Sequence, residues 1–170
     1  MNTTLTKQPS KKSSGHVVVR RRGVRWSATK TEGGVVNGWV RGLVATALAP
    51  SKLIQAIQFG LPVRELDALQ VSLNVPMARL VPMLGISKAT LQRRKASGKL
   101  APAESDRVVR FARLMGKAVE VLESTENARN WLTSTQFGLG GAVPLDYAVT
   151  EAGAREVEDL LGRIEYGVYS

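Results

Sequence analysis

The sequence contains no cysteine and a single histidine, His16. Without thiols the chain cannot form disulfides, a cysteine nucleophile or a cysteine-based zinc site, and one imidazole cannot build a Cys/His metal cluster. It also lacks a run of about 18 apolar residues, the length that crosses a membrane, and the three valines at 17–19 are too few for a signal peptide. We therefore expect a cytoplasmic protein that has no membrane contact and binds no metal or other cofactor.

The charge of the chain is distributed unevenly. The 170 residues carry a formal net charge of +10. Residues 1–30 contain eight basic residues and no acidic one, residues 61–115 carry a net charge of +6, and residues 116–170 a net charge of −5. A chain that is basic in its middle and acidic at its end suggests two partners, a polyanion and a basic protein surface.

Residues 1–34 have few large apolar side chains, so they cannot bury enough surface to offset the entropy of ordering. We predict a disordered basic arm, which would either wrap a phosphate backbone or only keep the protein soluble. Residues 35–60 form a predicted N-terminal helical segment, although several glycines leave helix and strand both open up to Leu48. Trp39 and the apolar residues that follow it are candidates for a dimer contact or for simple core packing.

The segment 77–94 has the layout of a helix-turn-helix. Gly85 permits the positive φ of a tight turn after the first helix, and Ser87 can cap the second. In the second helix Leu91 faces inward while the basic side chains project outward, as in a helix that enters the major groove. Pro82 lies inside the first helix, removes a backbone donor and should bend it. The segment resembles the Xre/Cro type of helix-turn-helix.

Candidate DNA contacts lie on the second helix and just after it, within a predicted DNA-binding domain at 61–115. Side chains near its N-terminus would meet base edges, and the later basic ones would fork onto guanine or bind phosphate. Two ordinary helices with a solvated basic face are the alternative interpretation. Because one such motif offers little surface, we expect a homodimer or higher oligomer on palindromic operator DNA. The candidates are Ser87, Lys88, Thr90, Gln92, Arg93, Arg94, Lys95 and Lys99.

The longest helical pattern follows Pro102, with apolar residues at i, i+4 and i+7 from Val108 onward. After it come a short helix that ends near Trp131, a glycine-rich loop, and a last helix capped by Thr150. The sequence therefore predicts an all-α fold in which a helix-turn-helix domain is joined by a long helix to a small helical domain at 116–170.

Four motifs of this last domain occur in a specific order: ARNWLT at 128–133, FGLGG at 137–141, PLD at 144–146 and LGRIEYG at 161–167. Together they resemble the toxin-binding domain of the Xre/MbcA/ParS antitoxins. The resemblance extends from about residue 50 to the end of the chain and includes the order of a helix-turn-helix followed by a toxin-binding domain.

The resemblance implies a type II antitoxin that represses its own operon and blocks the active site of a cognate toxin. Toxins of such systems have an ADP-ribosyltransferase-like fold, and the RES-domain enzymes among them consume NAD. Carried onto this chain, the C-terminal tail would obstruct the cleft of the toxin, supported by a nearby loop. We infer that the acidic charge of this region would complement basic groups of the toxin. The implied toxin-binding residues are Trp131, Leu139, Glu165, Tyr166, Gly167, Val168 and Tyr169.

Two other classes of function, a stand-alone regulator and an enzyme, are alternatives to the antitoxin. A stand-alone helix-turn-helix transcription regulator with a C-terminal ligand-sensing domain fits the same two-part layout. An enzyme would need acid/base pairs from Glu104, Asp106, Glu156 or Glu158, but each lies on an amphipathic surface where a solvated helix face is the better interpretation. We therefore do not expect catalysis.

Overall fold

The computed structural model describes residues 35–40 and 50–167. Within these ranges the chain forms nine α-helices, one 3₁₀ turn and no β-strand, which confirms the predicted all-α fold for the described residues. The helices are α1 (Val35–Val40), α2 (Pro50–Phe59), α3 (Arg64–Leu73), α4 (Met77–Met83), α5 (Lys88–Ser97), α6 (Pro102–Leu122), α7 (Thr125–Thr133), α8 (Pro144–Tyr147) and α9 (Glu151–Glu165), with the 3₁₀ turn at Phe137–Leu139.

Helix α6 is the centre of the fold, because both halves of the chain pack on it. Helices α1, α2 and α3 contact it from the N-terminal half, and α7 and α9 from the C-terminal half. Its apolar residues repeat at helical spacing, and Phe111, Leu114 and Met115 are fully buried. One apolar core therefore runs through both halves, and the predicted domain boundary after residue 115 falls inside a continuous helix.

Helices α4 and α5 form the predicted helix-turn-helix. Gly85 in the turn has a φ of +65°, and the Oγ of Ser87 accepts a hydrogen bond from the backbone N–H of Thr90 at 3.1 Å. A cap of this kind stabilises a helix by about 1 kcal/mol. Ile86 is buried, and Pro82 lies inside α4 as expected. The local turn chemistry predicted from the sequence is confirmed.

The C-terminal half is closed by short connections with well-defined caps. The Oγ of Ser124 caps α7, and the hydroxyl of Thr150 caps α9 by accepting from the N–H of Gly153 at 3.1 Å. Gly153 lies against α8, since a Cβ at this position would stand 1.9 Å from the carbonyl oxygen of Tyr147. Only glycine therefore allows α8 and α9 to approach this closely.

Some predictions concern residues outside the described ranges. The basic arm at 1–34, the apolar residues 41–48 and the tail residues Val168 and Tyr169 stay predictions. Residues 35–40, left open between helix and strand, are helical, and Val36 is buried in the core. The backbone N–H of Val36 donates to a carboxylate oxygen of Glu65 at 3.0 Å, which attaches α1 to α3.

Candidate functional site

Helix α5 presents a basic and exposed surface. Residues 87–99 contain five basic side chains and no acidic one, and no residue of α5 is fully buried. Lys88, Gln92, Arg93, Lys95 and Lys99 are all exposed. Within the part of the chain that the structure describes, no carboxylate forms an ion pair with the four basic residues among them. Their charge is available to a polyanion.

Arg94, which was predicted to contact DNA, has a partner inside the chain. Its Nε donates to both carboxylate oxygens of Glu104, at 3.1 and 2.8 Å. The side chain of Glu104 is only 9% exposed and also accepts the N–H of Ala101 at 2.7 Å. The pair attaches the last turn of α5 to the first turn of α6. Arg94 therefore helps to position α5, while the neighbouring basic side chains of this helix are exposed to solvent.

Two more predicted DNA-binding residues, Ser87 and Thr90, bond to each other. Beyond the cap described above, the hydroxyl of Ser87 donates to that of Thr90 at 3.0 Å. Ser87 is exposed and Thr90 is half-buried. Both hydroxyls therefore shape the start of α5, and the free basic side chains are left as its most accessible groups.

Arg107 holds the turn of the helix-turn-helix in place, a role that the sequence did not suggest. Its Nη1 donates to the carbonyl of Leu84 at 2.9 Å, at the end of α4. A Cβ on Gly85 would stand 2.7 Å from the same nitrogen. A cation at the C-terminus of a helix is also favoured by the helix dipole. Arg107 therefore links α6 to the end of α4, beside the turn that leads into α5.

Ion pairs join α6 to α9 and α4 to α8. On α6, Arg110 donates to Glu151 at 2.9 Å, Arg113 to Glu158 at 2.6 Å and Lys117 to Glu165 at 2.6 Å. A further pair joins α4 to α8, with Arg79 and Asp146 at 3.1 Å. We call these three hydrogen-bonded α6–α9 pairs the charge clasp. Four of the nine acidic residues at 116–170 therefore have a basic partner within the chain.

Arg129 forms a second connection between the halves. From α7 it donates through Nε to the carbonyl of Ser72 at 2.8 Å and through Nη2 to that of Val71 at 3.0 Å. These carbonyls belong to the last turn of α3, where they have no partner within the helix. The guanidinium satisfies them, and this holds α7 against the helix-turn-helix half.

The pKa of Glu151 reflects its place in the charge clasp. Partial burial raises the pKa of this carboxyl, but the attraction and hydrogen bonds of Arg110, Arg155 and Arg113 outweigh burial and hold it below its usual value. A carboxyl with a lower pKa in the folded state adds stability above its ordinary pKa. That stability is lost as the pH falls through the folded-state pKa.

We expect the replacement Glu151→Gln to lower Tm at pH 7 by about 1–2 °C, and this difference to be smaller at pH 3, because protonation of Glu151 removes the same attraction. The effect is small because the side chain is half exposed and screened by salt. Thermal unfolding followed by circular dichroism at both pH values measures it. Glu156→Gln, an exposed change on the same helix, is the control. A Tm difference that does not depend on pH would contradict the conclusion that the charge of Glu151 stabilises the fold.

The end of α9 carries three of the predicted toxin-binding residues. Tyr166 is 81% exposed, and Gly167 follows it with a φ of +67°. Glu165 accepts from Lys117, as described above, and this hydrogen bond raises the pKa of Lys117. The last helical turn before the tail is therefore held against α6, while the aromatic ring of Tyr166 stays in solvent.

The other two predicted toxin-binding residues within the described ranges, Leu139 in the loop at 136–142 and Trp131 on α7, lie in or against the core. Leu139 is only 8% exposed and belongs to the core, and Trp131 is partly buried against that core. Phe137, which was not among the predicted contacts, is 96% exposed. Residue type and spacing alone do not distinguish Phe137 from Leu139, because the geometry of the turn decides which of the two side chains points inward.

The described residues also bear on membrane, metal and acid/base sites. No helix among them is long and apolar enough to cross a membrane, and no cluster of acidic or histidine side chains there could hold a metal ion. Three of the four carboxylates considered for acid/base chemistry are in ion pairs, namely Glu104, Asp106 and Glu158.

Comparison with known proteins matches both halves of the chain. Residues 52–113 match the antitoxin Xre-like helix-turn-helix domain, and residues 117–167 match the antitoxin Xre/MbcA/ParS C-terminal toxin-binding domain. A protein named antitoxin Xre from Yersinia enterocolitica (serotype O:8 / biotype 1B) is 36% identical over 120 residues, covering 69% of this chain and 81% of the relative. Another antitoxin Xre, from Photorhabdus laumondii subsp. laumondii, is 34% identical over 113 residues, covering 65% and 76%. The chain therefore belongs to the Xre/MbcA/ParS family of antitoxins.

Proposed function

We propose that this antitoxin neutralises an NAD-consuming toxin of the RES type by covering its active-site cleft, and that it represses its own operon through α5. The observation that carries the proposal is the separation of two exposed surfaces on different elements. One is the unpaired basic surface of α5, and the other is the aromatic end of α9.

The DNA-binding part of the proposal rests on charge that has no partner within the described residues. Lys88, Arg93 and Lys95 lie on α5, and Lys99 follows it, while the neighbouring Arg94 and Arg107 hold the helix in position. Phosphate neutralisation by such residues supplies most of the non-specific affinity for DNA, and side chains near the N-terminus of the helix read bases. Operator DNA and a second copy of the chain are the expected partners.

The toxin-binding part rests on the tail that begins at Tyr166. An aromatic side chain that is held at a helix end but left in solvent is suited to enter a cleft of a partner. Complementary charge would come from the acids outside the charge clasp, such as Glu156 and Asp159, which are exposed and form no ion pair in the described part of the chain. Basic groups that hold the phosphates of NAD in the toxin are their proposed counterparts.

A truncation tests the proposal directly. We expect a chain that ends at Glu165 to lose toxin neutralisation while its affinity for the promoter fragment upstream of its own gene changes less than threefold. This truncation keeps the Lys117–Glu165 pair and the buried Leu161, so α9 stays folded. The measurements are growth and cellular NAD on co-expression with the protein encoded by the adjacent gene, and an electrophoretic mobility shift with the promoter fragment.

Three other outcomes would each contradict a different part of the proposal. A truncated chain that still neutralises would exclude the tail as the blocking element. If the full-length chain does not co-purify with the adjacent gene product, the antitoxin proposal fails and a stand-alone regulator with a ligand-sensing C-terminal domain is favoured. If expression of the toxin alone stops growth but leaves NAD unchanged, the RES assignment fails while neutralisation stands.

A further inference from the structure

Phe137 is the most exposed large apolar side chain in the described part of the chain, at 96%. Single exposed apolar residues are ordinary on protein surfaces, so exposure alone does not indicate a site. What distinguishes Phe137 is the rigid support beneath it and its place in the segment that matches a toxin-binding domain.

Backbone and side-chain hydrogen bonds hold the loop that carries Phe137 in place. Gln136 donates from its backbone to the carbonyl of Ala142 at 3.0 Å, and Gly140 and Gly141 donate to the carbonyls of Phe137 and Gln136 at 2.9 and 3.0 Å. Both glycines have positive φ. The side-chain amide of Gln136 further donates to the carbonyl of residue 131 at 2.9 Å. Because the loop is already ordered, it loses little conformational entropy when a partner binds Phe137.

The loop is also fixed to α9. A Cβ on Gly138 would stand 2.6 Å from Leu160 Cδ1, so the backbone lies directly on this side chain, and Leu139 is buried on the other side of the turn. Leu160 precedes Tyr166 by six residues, which is about 9 Å along a helix axis. Phe137 is thus held beside the helix whose end carries the proposed blocking tail.

We propose that Phe137 inserts into an apolar pocket on the toxin, outside the cleft that the tail enters, and so helps to select the cognate toxin. The inference rests on the proposed function. Because its loop is packed against Leu160, the side chain of Phe137 cannot move with the peptide tail into a narrow cleft. Phe137 therefore contacts the toxin surface around that cleft. The loop at 134–142 has no charged residue, which fits a pocket with an apolar lining and no counter-charge.

Replacing Phe137 by alanine tests the inference. We expect the Kd for the adjacent gene product to rise about 30-fold, equivalent to about 2 kcal/mol, with Tm unchanged because the ring contacts almost nothing within the chain. Isothermal titration calorimetry on the full-length chain gives the Kd. The matched control is Phe59→Ala, an aromatic that is 64% exposed on α2, which should leave the Kd unchanged. A photo-crosslinking amino acid at position 137, compared with the same label at 59, identifies the contact.

The outcomes separate the two proposals. A Kd within threefold of the unmodified chain, or a crosslink from position 137 only to a second copy of this chain, overturns the role of Phe137 and leaves the proposed function standing. If the unmodified chain fails to bind the adjacent gene product, both are overturned. A large loss of affinity together with a crosslink to toxin residues lining its active-site cleft would refute the separate pocket.

Discussion

Replacing Phe111 by alanine is expected to abolish operator binding and toxin neutralisation together. Phe111 is fully buried at the centre of α6, the helix against which both halves pack. Truncating a buried phenylalanine costs about 3–5 kcal/mol from lost burial and the remaining cavity, a large part of the stability of a domain of this size. Since one core serves both halves, the loss cannot be confined to either function.

Urea denaturation followed by circular dichroism measures this effect, with mobility shift and co-purification as functional readouts. Phe59→Ala again serves as the control, because an exposed ring should change the free energy of unfolding by less than about 0.5 kcal/mol. We expect a single transition for the described fold. Two separate transitions, or loss of only one function in the Phe111 variant, would mean that the halves fold independently and that the predicted boundary after residue 115 separates two units.

Two adjacent arginines on α5 are expected to behave differently when each is replaced by alanine. Arg93→Ala should weaken operator binding about tenfold or more and make the salt dependence of binding shallower, with Tm unchanged. Arg94→Ala should instead lower the free energy of unfolding by about 2–3 kcal/mol, because Glu104 would lose its ion-pair partner in a site that is only 9% exposed.

The assignment for Arg94 can be separated from direct DNA contact. The double variant Arg94→Ala with Glu104→Gln should recover much of the lost stability, since the unpaired charge is gone, and should recover operator affinity in parallel. Fluorescence anisotropy with the promoter fragment and thermal unfolding provide both readouts. Arg155→Ala, on the far more exposed surface of α9, is the control. Recovered stability without recovered affinity would show that Arg94 contacts DNA after all.

Local chemistry accounts for the features that the sequence predicted well. The caps at Ser87 and Thr150 and the turn at Gly85 depend on residues within a few positions of each other, so residue type and spacing are enough to identify them. The apolar stripe of α6 is likewise a periodic signal that requires no knowledge of its partners. The order of motifs in the last third was specific enough to indicate the family.

Long-range pairing accounts for what could not be predicted. The net charges of +6 and −5 predict two surfaces for two outside partners, yet Arg110 and Glu151 are 41 positions apart in sequence and meet in the fold. The partner of Arg94 likewise depends on how α5 packs against α6. The exposure of Phe137 depends on the positive φ angles of the two glycines that close its turn. The assignment of individual residues to DNA or toxin remains a prediction for the experiments above.

The charge clasp has a consequence for recombination between antitoxin genes. A crossover that joins the helix-turn-helix of one antitoxin to the toxin-binding domain of another near residue 116 separates Arg110 and Arg113 from the acids of α9 that they bind. In such a chimera, the basic residues of α6 come from one antitoxin and the acidic residues of α9 come from the other. The ion pairs between the two helices are then no longer matched. A junction before Pro102 keeps all of α6 with α9 but separates Glu104 from Arg94, so an exchange of toxin specificity has to preserve the partners on both faces of α6.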